Sequence, residues 1–208
     1  KIVDANYPFN WSKLNNQGIT QSNGNFFVFL NNDTKIISKT WLRQLAGQAA
    51  REDVGTVGPL LLYADGTVQH AGVVVGYGGQ ADHVYSGFPP DVDGSVFVSP
   101  LLQRNVLANT GACLAVAKKV IERVGTFDEN LSVIGSDIEL CLRAYNRGLL
   151  NVYDPSVKLY HYESKTRANH TPSRDLELAA KCYEKYLRDG DTFFNRNISL
   201  ASNFPFPD

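Results

Sequence analysis

Apolar runs and segments of helical period alternate along this chain. The clearest run is Asn25–Leu30, whose nearly unbroken apolar character predicts a strand buried on both faces of a parallel sheet. It ends abruptly at the polar residues 31–34. A turn signal at Asp65-Gly66 predicts a hairpin, and a later strand is expected to stop at Asp154-Pro155. The further predicted strands are 54–63, 67–75, 110–116 and 149–153.

Four segments have the spacing of amphipathic helices. Ser38 is the expected N-cap of the first, and Gly148 stands where a C-terminal glycine cap belongs after the third. Residues 76–105 are rich in Gly, Pro, Asp and Ser, and a loop of this length is usually functional or mobile. The alternation of strands and helices predicts an α/β domain with a mixed sheet. The predicted helices are 39–51, 118–123, 136–147 and 173–188.

The composition is that of a globular protein, and it argues against several classes of function. Of 208 residues, 43% are hydrophobic and 20% are charged, so a sizeable core is expected. The 20 basic and 21 acidic residues nearly balance, which argues against a nucleic-acid partner. No apolar run approaches the roughly 20 residues that span a bilayer, so we expect no transmembrane segment in this chain. The three cysteines form no paired motif, which favours free thiols in a reducing cytoplasm.

Three acidic positions are candidates for chemistry, and each also has a structural explanation. Asp33 follows the first strand, where a carboxylate can hold Mg²⁺ or Mn²⁺, but Asp is also a common turn residue. Asp137 and Glu139 lie in the first turn of a predicted helix, where either could act as a general base. Acidic residues at that position equally complement the helix dipole. The residues by themselves leave both alternatives open.

The histidines are ambiguous in the same way. His161 follows a strand-like segment and could bind a metal ion through a ring nitrogen. A lone histidine among aromatic residues is more often a hydrogen-bonded structural residue. We assign no chemistry from the sequence to the other three, which are His70, His83 and His170.

Several short motifs occur in a fixed order along the chain. The main ones are Asn31-Asn32-Asp33, Thr110-Gly111-Ala112-Cys113, Gly125-Thr126-Phe127-Asp128-Glu129, the segment 136–143 and His161-Tyr162-Glu163-Ser164. Supporting motifs are Phe9-Asn10-Trp11-Ser12, Asn15-Asn16, Gln69-His70-Ala71-Gly72 and the segment 195–200. In this order they resemble the family 2 glycosyltransferases, and the likeness is closest to the bacterial O-antigen and rhamnan-type subgroup. The resemblance covers essentially all 208 residues.

The resemblance implies a GT-A fold, which is a three-layer α/β/α domain with a mixed sheet. It also implies inverting transfer of a sugar from a nucleotide-diphosphate sugar to a saccharide or lipid-linked saccharide in surface polysaccharide synthesis. Asp137 matches the catalytic base of the family. Asp33 and His161 match ligands of a Mn²⁺ or Mg²⁺ ion. The positions that would bind the donor are Asn31, Asn32, Asp33, Thr110, Gly111 and Ala112.

The chain departs from the family pattern in three respects. Ser136 stands before the base position, where the family usually has Glu or Asn. The strand-end motif keeps a single carboxylate, that of Asp33. The chain also begins with Lys1–Asp4, which resembles a later strand of the nucleotide-binding half, so the first βα units are expected to be missing.

We therefore expect one partial domain, with the rest of the nucleotide-binding half in 1–75, the acceptor and catalytic half in 76–170 and a C-terminal helix and tail in 171–208. A cytoplasmic location is expected, with any membrane association supplied by the rest of a parent protein. One rival hypothesis is a catalytically inactive remnant of the same fold. Another is a nucleotidyltransferase, for which the chain lacks the expected glycine-rich phosphate loop.

Overall fold

The computed structural model describes residues 2–162 and 171–208, so Glu163, Ser164 and His170 of the sequence analysis lie outside the described residues. The strands are β1 (Phe26–Leu30), β2 (Thr34–Ile36), β3 (Val54–Leu62), β4 (Val68–His70), β5 (Val73–Val75), β6 (Ala81–His83), β7 (Arg104–Val106), β8 (Cys113–Ala117) and β9 (Leu150–His161). The helices are α1 (Trp11–Thr20), α2 (Trp41–Ala49), α3 (Lys118–Val124), α4 (Ser136–Asn146) and α5 (Ser173–Asp189).

A mixed seven-stranded sheet forms the centre of the molecule. Its strands run in the order β1-β8-β3-β9-β2, with β4 beside β3 and β7 beside β9. β3 and β9 are parallel to each other, whereas the remaining pairs in this sheet are antiparallel. A separate two-stranded sheet pairs β5 with β6. The predicted α/β class with a mixed sheet is confirmed.

Helices cover both faces of this sheet, because successive side chains of β8 point to opposite faces. Leu114 and Val116 pack in the core that α3 and α4 close. Cys113 and Ala115 pack in the core that α2 closes. All four side chains are fully buried. The three layers predicted from the sequence are therefore present.

β1 is a strand, as predicted, but the prediction that it is buried on both faces of a parallel sheet is wrong. This strand pairs only with β8 among the described strands and runs antiparallel to it, so it lies at an edge of the sheet. Phe27 and Phe29 are buried, whereas Phe26 and Leu30 are 39% and 40% exposed. An edge strand whose outward-facing residues are also apolar has the same composition as a strand buried on both faces. The sequence pattern therefore does not distinguish the two environments.

β9 does not stop at Asp154-Pro155 as predicted. It continues to His161, because the register against β3 shifts at this point and absorbs the proline as an irregularity. The carboxylate of Asp154 accepts hydrogen bonds from the backbone N–H and the hydroxyl of Ser156, which stabilises the bend. This extension carries His161 to the edge of the sheet, where it stands opposite Thr34 of β2.

Two other local predictions are also wrong. The predicted strand 67–75 is divided by Gly72, whose φ of 94° and close contact with Val106 place β4 and β5 in different sheets. Ser38 does not cap α2, because Thr40 holds the N-cap position and the Ser38 hydroxyl instead bonds to the backbone of β9.

The first helix is absent from the sequence-based prediction, and residues 2–4 form no strand. α1 is mostly polar, so its sequence lacks a clear apolar stripe. Asn10 caps it, with its side-chain oxygen accepting from the backbone N–H of Lys13 at 2.8 Å. Trp11 provides its main apolar contact, against Phe127 at 4.8 Å between ring centroids.

The described part of the chain has no helix of the length and apolarity needed to cross a bilayer. The three cysteines are free, as predicted. Cys113 and Cys141 are buried, and Cys182 is half-buried.

Candidate active site

The pairing of β2 with the end of β9 brings Asp33 and His161 together. Thr34 stands opposite His161 in this antiparallel pair, and the backbone N–H of Tyr162 donates to the carbonyl oxygen of Asp33 at 2.9 Å. Asp33 Oδ1 is consequently 3.2 Å from His161 Nε2. Two residues that are far apart in the sequence thus become neighbours at one edge of the sheet.

This pair has the donor atoms of a divalent-cation site. His161 is 5% exposed, and its Nδ1 atom and the Oδ1 atom of Asp33 are buried without a hydrogen-bond partner. The close Asp33–His161 contact lacks hydrogen-bond geometry, so it leaves both groups able to accept another partner. No group of three or more His, Cys, Asp or Glu residues in the described ranges is placed to hold a metal ion. Two ligands suit an ion that takes its remaining ligands from substrate phosphates.

Asn31 connects this pair to the rest of the site. Its backbone N–H donates to the carbonyl of Ala112 at 2.9 Å. Its side-chain oxygen accepts from Trp11 Nε1 at 3.3 Å, and its side-chain nitrogen lies 3.4 Å from His161 Nε2. The neighbouring Asn32 is exposed. Asn31 therefore holds the two strand ends in register with the segment before β8.

Asp137 projects from the first turn of α4. Its Oδ2 atom accepts from the backbone N–H of Gly111 at 2.7 Å, and its Oδ1 atom accepts from the N–H of Ile138 at 2.9 Å. Gly135, in the left-handed conformation with a φ of 84°, ends the preceding loop and starts the helix. The carboxylate is thus fixed by two backbone donors.

Gly111 allows three parts of the site to meet. A Cβ atom there would lie 2.6 Å from the Trp11 ring and 3.3 Å from the Cβ of Asp137, so only glycine fits. Thr110, Gly111 and Ala112 do not belong to β8, which begins at Cys113, one correction to the predicted strand 110–116. They form the turn between the sheet and the cleft.

Glu139 does not share the environment of Asp137. Both of its carboxylate oxygens bond to the guanidinium of Arg143, at 2.8 and 2.6 Å, on another face of α4. The sequence left Asp137 and Glu139 as equal candidates for a base. Of the two, Asp137 faces the cleft.

The loop that leads into α4 is held from two sides. From α1, the Ser12 hydroxyl donates to the carbonyl of Leu131 at 2.5 Å and Asn16 bonds to the backbone of Phe127 in both directions. From α5, the buried carboxylate of Asp175 accepts from the backbone N–H groups of residues 133 and 134, at 2.7 and 3.1 Å. These contacts fix the backbone from which Asp137 projects.

One cleft of about 1040 Å³, including its open mouth, joins these features. Of the residues predicted to form the site, six line it: Asn31, Thr110, Gly111, Ala112, Asp137 and His161. Asp33 contacts His161 but does not line the cleft, and neither does Asn32. Lining residues that the sequence did not indicate include Gln80, Asp82, Leu176, Ala179 and Tyr183. Their positions depend on β6 and α5, and no local pattern marks them.

The motif Gln69-His70-Ala71-Gly72 lies beside the same cleft. His70 is fully buried, and burial together with the neighbouring His83 holds the pKa of His70 well below its usual value. The Nδ1 atoms of the two rings are 2.8 Å apart, so one must donate and the other accept. His83 and Gln69 line the cleft. This histidine pair thus supports one wall.

Comparison with solved structures gives the class of the fold. The chain matches GalNAc-T7 bound to UDP, GalNAc and Mn²⁺ with a TM-score of 0.65 and 13% identity, over 90% of this chain and 38% of that one. It matches the mannosyltransferase PcManGT of Pyrobaculum calidifontis, bound to GDP-Man and Mn²⁺, with a TM-score of 0.52 and 12% identity, over 91% and 52%. The fold is that of the GT-A glycosyltransferases, as predicted.

Sequence comparison agrees with this class. The chain is 39% identical over 198 residues to the O-antigen biosynthesis protein RfbC of Myxococcus xanthus, across 94% of this chain and 16% of that protein. It is 37% identical over 204 residues to the uncharacterized protein y4gI of Sinorhizobium fredii, of which it covers 22%. The chain thus spans about a fifth or less of these curated relatives. No protein-family model matches it. The solved structures thus show a GT-A fold, and the sequence is related to part of an O-antigen biosynthesis protein.

Proposed function

We propose that this domain transfers a sugar from a nucleotide-diphosphate sugar to a saccharide or lipid-linked saccharide, with inversion at the anomeric carbon. The O-antigen relative supports a role in surface polysaccharide synthesis. The nucleotide sugars in the two solved structures support the donor class. We place the reaction in the cytoplasm, where free cysteines persist. The division into donor, acceptor and C-terminal segments stays a prediction.

One observation carries this proposal. The carboxylate of Asp137 opens onto the same cleft as Asn31 and His161, and two backbone N–H groups hold it in place. A fixed carboxylate that faces a donor site across a cleft has the arrangement that proton removal from an acceptor requires. The predicted base and four of the predicted donor residues, Asn31, Thr110, Gly111 and Ala112, line one cavity.

The reaction would proceed in one displacement. Asp137 takes the proton of the acceptor hydroxyl while the oxygen of that hydroxyl forms a bond to the anomeric carbon. The bond between this carbon and the diphosphate oxygen breaks, and its electron pair leaves with the nucleoside diphosphate. Attack from the face opposite the leaving group inverts the configuration. The turn formed by Thr110, Gly111 and Ala112 lines the cleft in which the donor would bind.

Asp33 and His161 are the residues that would hold a Mn²⁺ or Mg²⁺ ion. The Oδ1 atom of Asp33, buried without a hydrogen-bond partner, and the Nε2 atom of His161, 3.2 Å from it, fit the oxygen and nitrogen ligands that such ions accept. A bound ion supplies positive charge next to the leaving diphosphate.

The proposal is tested first with Asp137→Asn. The amide cannot take a proton, so we expect transfer to fall by about 10²- to 10⁴-fold. Nucleotide affinity should stay unchanged, because the Gly111 contact to an oxygen at this position is retained. Calorimetric titration with UDP, GDP and dTDP, with and without Mn²⁺, measures binding and identifies the nucleotide. Transfer of labelled sugar then measures turnover.

Glu139→Gln is the matched control, since Glu139 lies two residues along the same helix and points away from the cleft. It should retain transfer. An Asp137→Asn protein with wild-type turnover would remove Asp137 as the base. If the wild-type chain binds no nucleotide, the rival hypothesis of an inactive remnant is favoured.

A further inference from the structure

One end of the cleft is formed by α5, and none of its residues has a role in the mechanism above. Leu176, Ala179 and Tyr183 of this helix line the cleft opposite Ile138 of α4. Leu176 is 42% exposed, so its apolar side chain is accessible from the cleft. This end of the cleft is adjacent to the proposed base, since Ile138 follows Asp137.

Tyr183 is the most informative of these residues. Its side chain is 3% exposed and packs in a core with Leu142, Ala179 and Tyr186. Its hydroxyl nevertheless reaches the cleft, where it lies 3.3 Å from the position that a Cβ atom on Gly135 would occupy. No described residue provides a hydrogen-bond partner for this hydroxyl, and it is not one of the fully buried unpartnered polar atoms, so it is open to the cleft.

The state of this hydroxyl is fixed by its surroundings. Burial raises the pKa of Tyr183 far above its usual value, and the nearby Asp137 carboxylate acts in the same direction. The group therefore remains a protonated donor across the physiological pH range. The same carboxylate would take the proton of an acceptor hydroxyl, so a donor in this place lies on the acceptor side of the reaction.

We propose that Tyr183 is a substrate-binding residue, and that its hydroxyl donates a hydrogen bond to the acceptor saccharide. This inference rests on the proposed function and assigns the acceptor subsite to the end of the cleft between Gly135 and α5. A saccharide has polar hydroxyl edges and apolar C–H faces. Tyr183 would bind one hydroxyl, and Leu176 and Ile138 would contact an apolar face or an attached lipid. The bound sugar would then present a neighbouring hydroxyl to Asp137.

The test uses saturation-transfer NMR with methyl and p-nitrophenyl glycosides of common hexoses and deoxyhexoses, titrated with and without the nucleotide that binds. Tyr183→Phe keeps the ring and its packing but removes the donor. We expect it to weaken glycoside affinity about 2- to 10-fold, the effect of one hydrogen bond. The affinity for nucleotide, measured by calorimetry, should be unchanged.

Tyr186→Phe is the matched control. This residue lies on the same helix, but its hydroxyl donates to Asn146 at 3.0 Å and does not line the cleft. It should bind glycosides as the wild type does. Equal glycoside affinity in wild type and Tyr183→Phe would overturn the inference, as would failure of every glycoside to bind the wild type. Failure of nucleotide binding would instead count against the proposed function.

Discussion

Asp33 is the only carboxylate of its segment, so a divalent cation at this site would depend on it heavily. His161 is its nearest described partner, and the remaining neighbours, Asn31 and Asn32, are neutral amides. A site with so little negative charge binds a free cation weakly, since hard cations bind most tightly to several charged oxygens. We infer that the ion and the nucleotide bind together, with phosphate oxygens completing the coordination.

Asp33→Ala should therefore reduce the Mn²⁺-dependent part of nucleotide affinity by roughly tenfold or more, because even residues outside the direct ligands cost about 10- to 100-fold when removed. Binding without metal should change little. Calorimetric titration with the nucleotide, at several Mn²⁺ concentrations, measures both quantities. Asp93→Ala, on an exposed loop, is the control. An unchanged Mn²⁺ dependence would exclude Asp33 as a ligand.

At the residue scale, the roles of the site residues stay predictions that rest on the order of the motifs. The chemistry of Asp33, Asp137 and His161 was ambiguous from the residues, and only the resemblance joined them. The proposed role of Tyr183 could not be predicted from the sequence, because it depends on a hydroxyl that opens onto a cavity. In the sequence it is an apolar position of an amphipathic helix, indistinguishable from a core residue.

At the scale of the elements, α1 and α5 hold the loop before α4 in place, although neither helix carries the proposed base. Both contact the loop before α4, α1 through side chains and α5 through the buried carboxylate of Asp175. Asp175 is 1% exposed and accepts from two backbone N–H groups and from the hydroxyl of Ser132. Among the described residues, no other group accepts a hydrogen bond from the N–H groups of residues 133 and 134.

Asp175→Ala should therefore destabilise the protein by about 2 kcal/mol, because the backbone N–H groups of residues 133 and 134 would lose their charged acceptor. The loop amides of residues 133 and 134 should also exchange with solvent faster. Urea unfolding and hydrogen exchange measure the two effects. Asp189→Ala, which removes an exposed ion pair with Arg188 on the same helix, should cost less than about 0.5 kcal/mol. Equal losses in the two variants would contradict this account.

Element boundaries were predictable where periodicity was strong. α4 and α5 match their predicted ranges within one residue, because each has an apolar stripe and a following glycine. α1 was missed because its polar side chains bond to a distant loop, a tertiary effect that the local pattern does not contain. The continuation of β9 through Pro155 was missed for a similar reason, since β3 absorbs the irregularity.

For the whole molecule, Asp191 makes stability depend on pH. This carboxylate, 8% exposed, ties the C-terminal tail to β5 by accepting from the backbone N–H of Val75 at 3.1 Å. Burial raises the pKa of Asp191 from 3.8 to about 6. The folded state therefore binds this proton more tightly than the unfolded state does. The contribution is largest below the unfolded pKa and is lost as pH rises through 6.

We expect the Asp191 contribution to the free energy of unfolding to be about 1.4 kcal/mol larger at pH 5 than at pH 7.5, which follows from the two pKa values. Urea unfolding of wild type and Asp191→Asn at both pH values isolates it, because other titrating groups are common to the two proteins. The variant should lack this part of the pH dependence. Identical pH dependence in the two proteins would show that the Asp191 carboxyl does not titrate in this range.

The overall architecture was predicted correctly because alternating strands and helices with balanced charge allow few arrangements. The cleft, which lies between the β5–β6 side and α5, was not predicted. It requires β5 and β6 to leave the main sheet at Gly72 and α5 to close the opposite side. Both features depend on contacts between segments that are distant in the sequence, so local sequence patterns do not predict them.

The contact of Trp11 with Gly111 and Asn31 gives the cleft an intrinsic optical reporter. The chain has only two tryptophans, and the other, Trp41, is the first residue of α2 and lies away from the cleft. Indole emission responds to the polarity and charge around the ring. A nucleotide or cation entering beside Asn31 would alter the emission of one fluorophore and leave the other as an internal reference, so occupancy can be followed without a label.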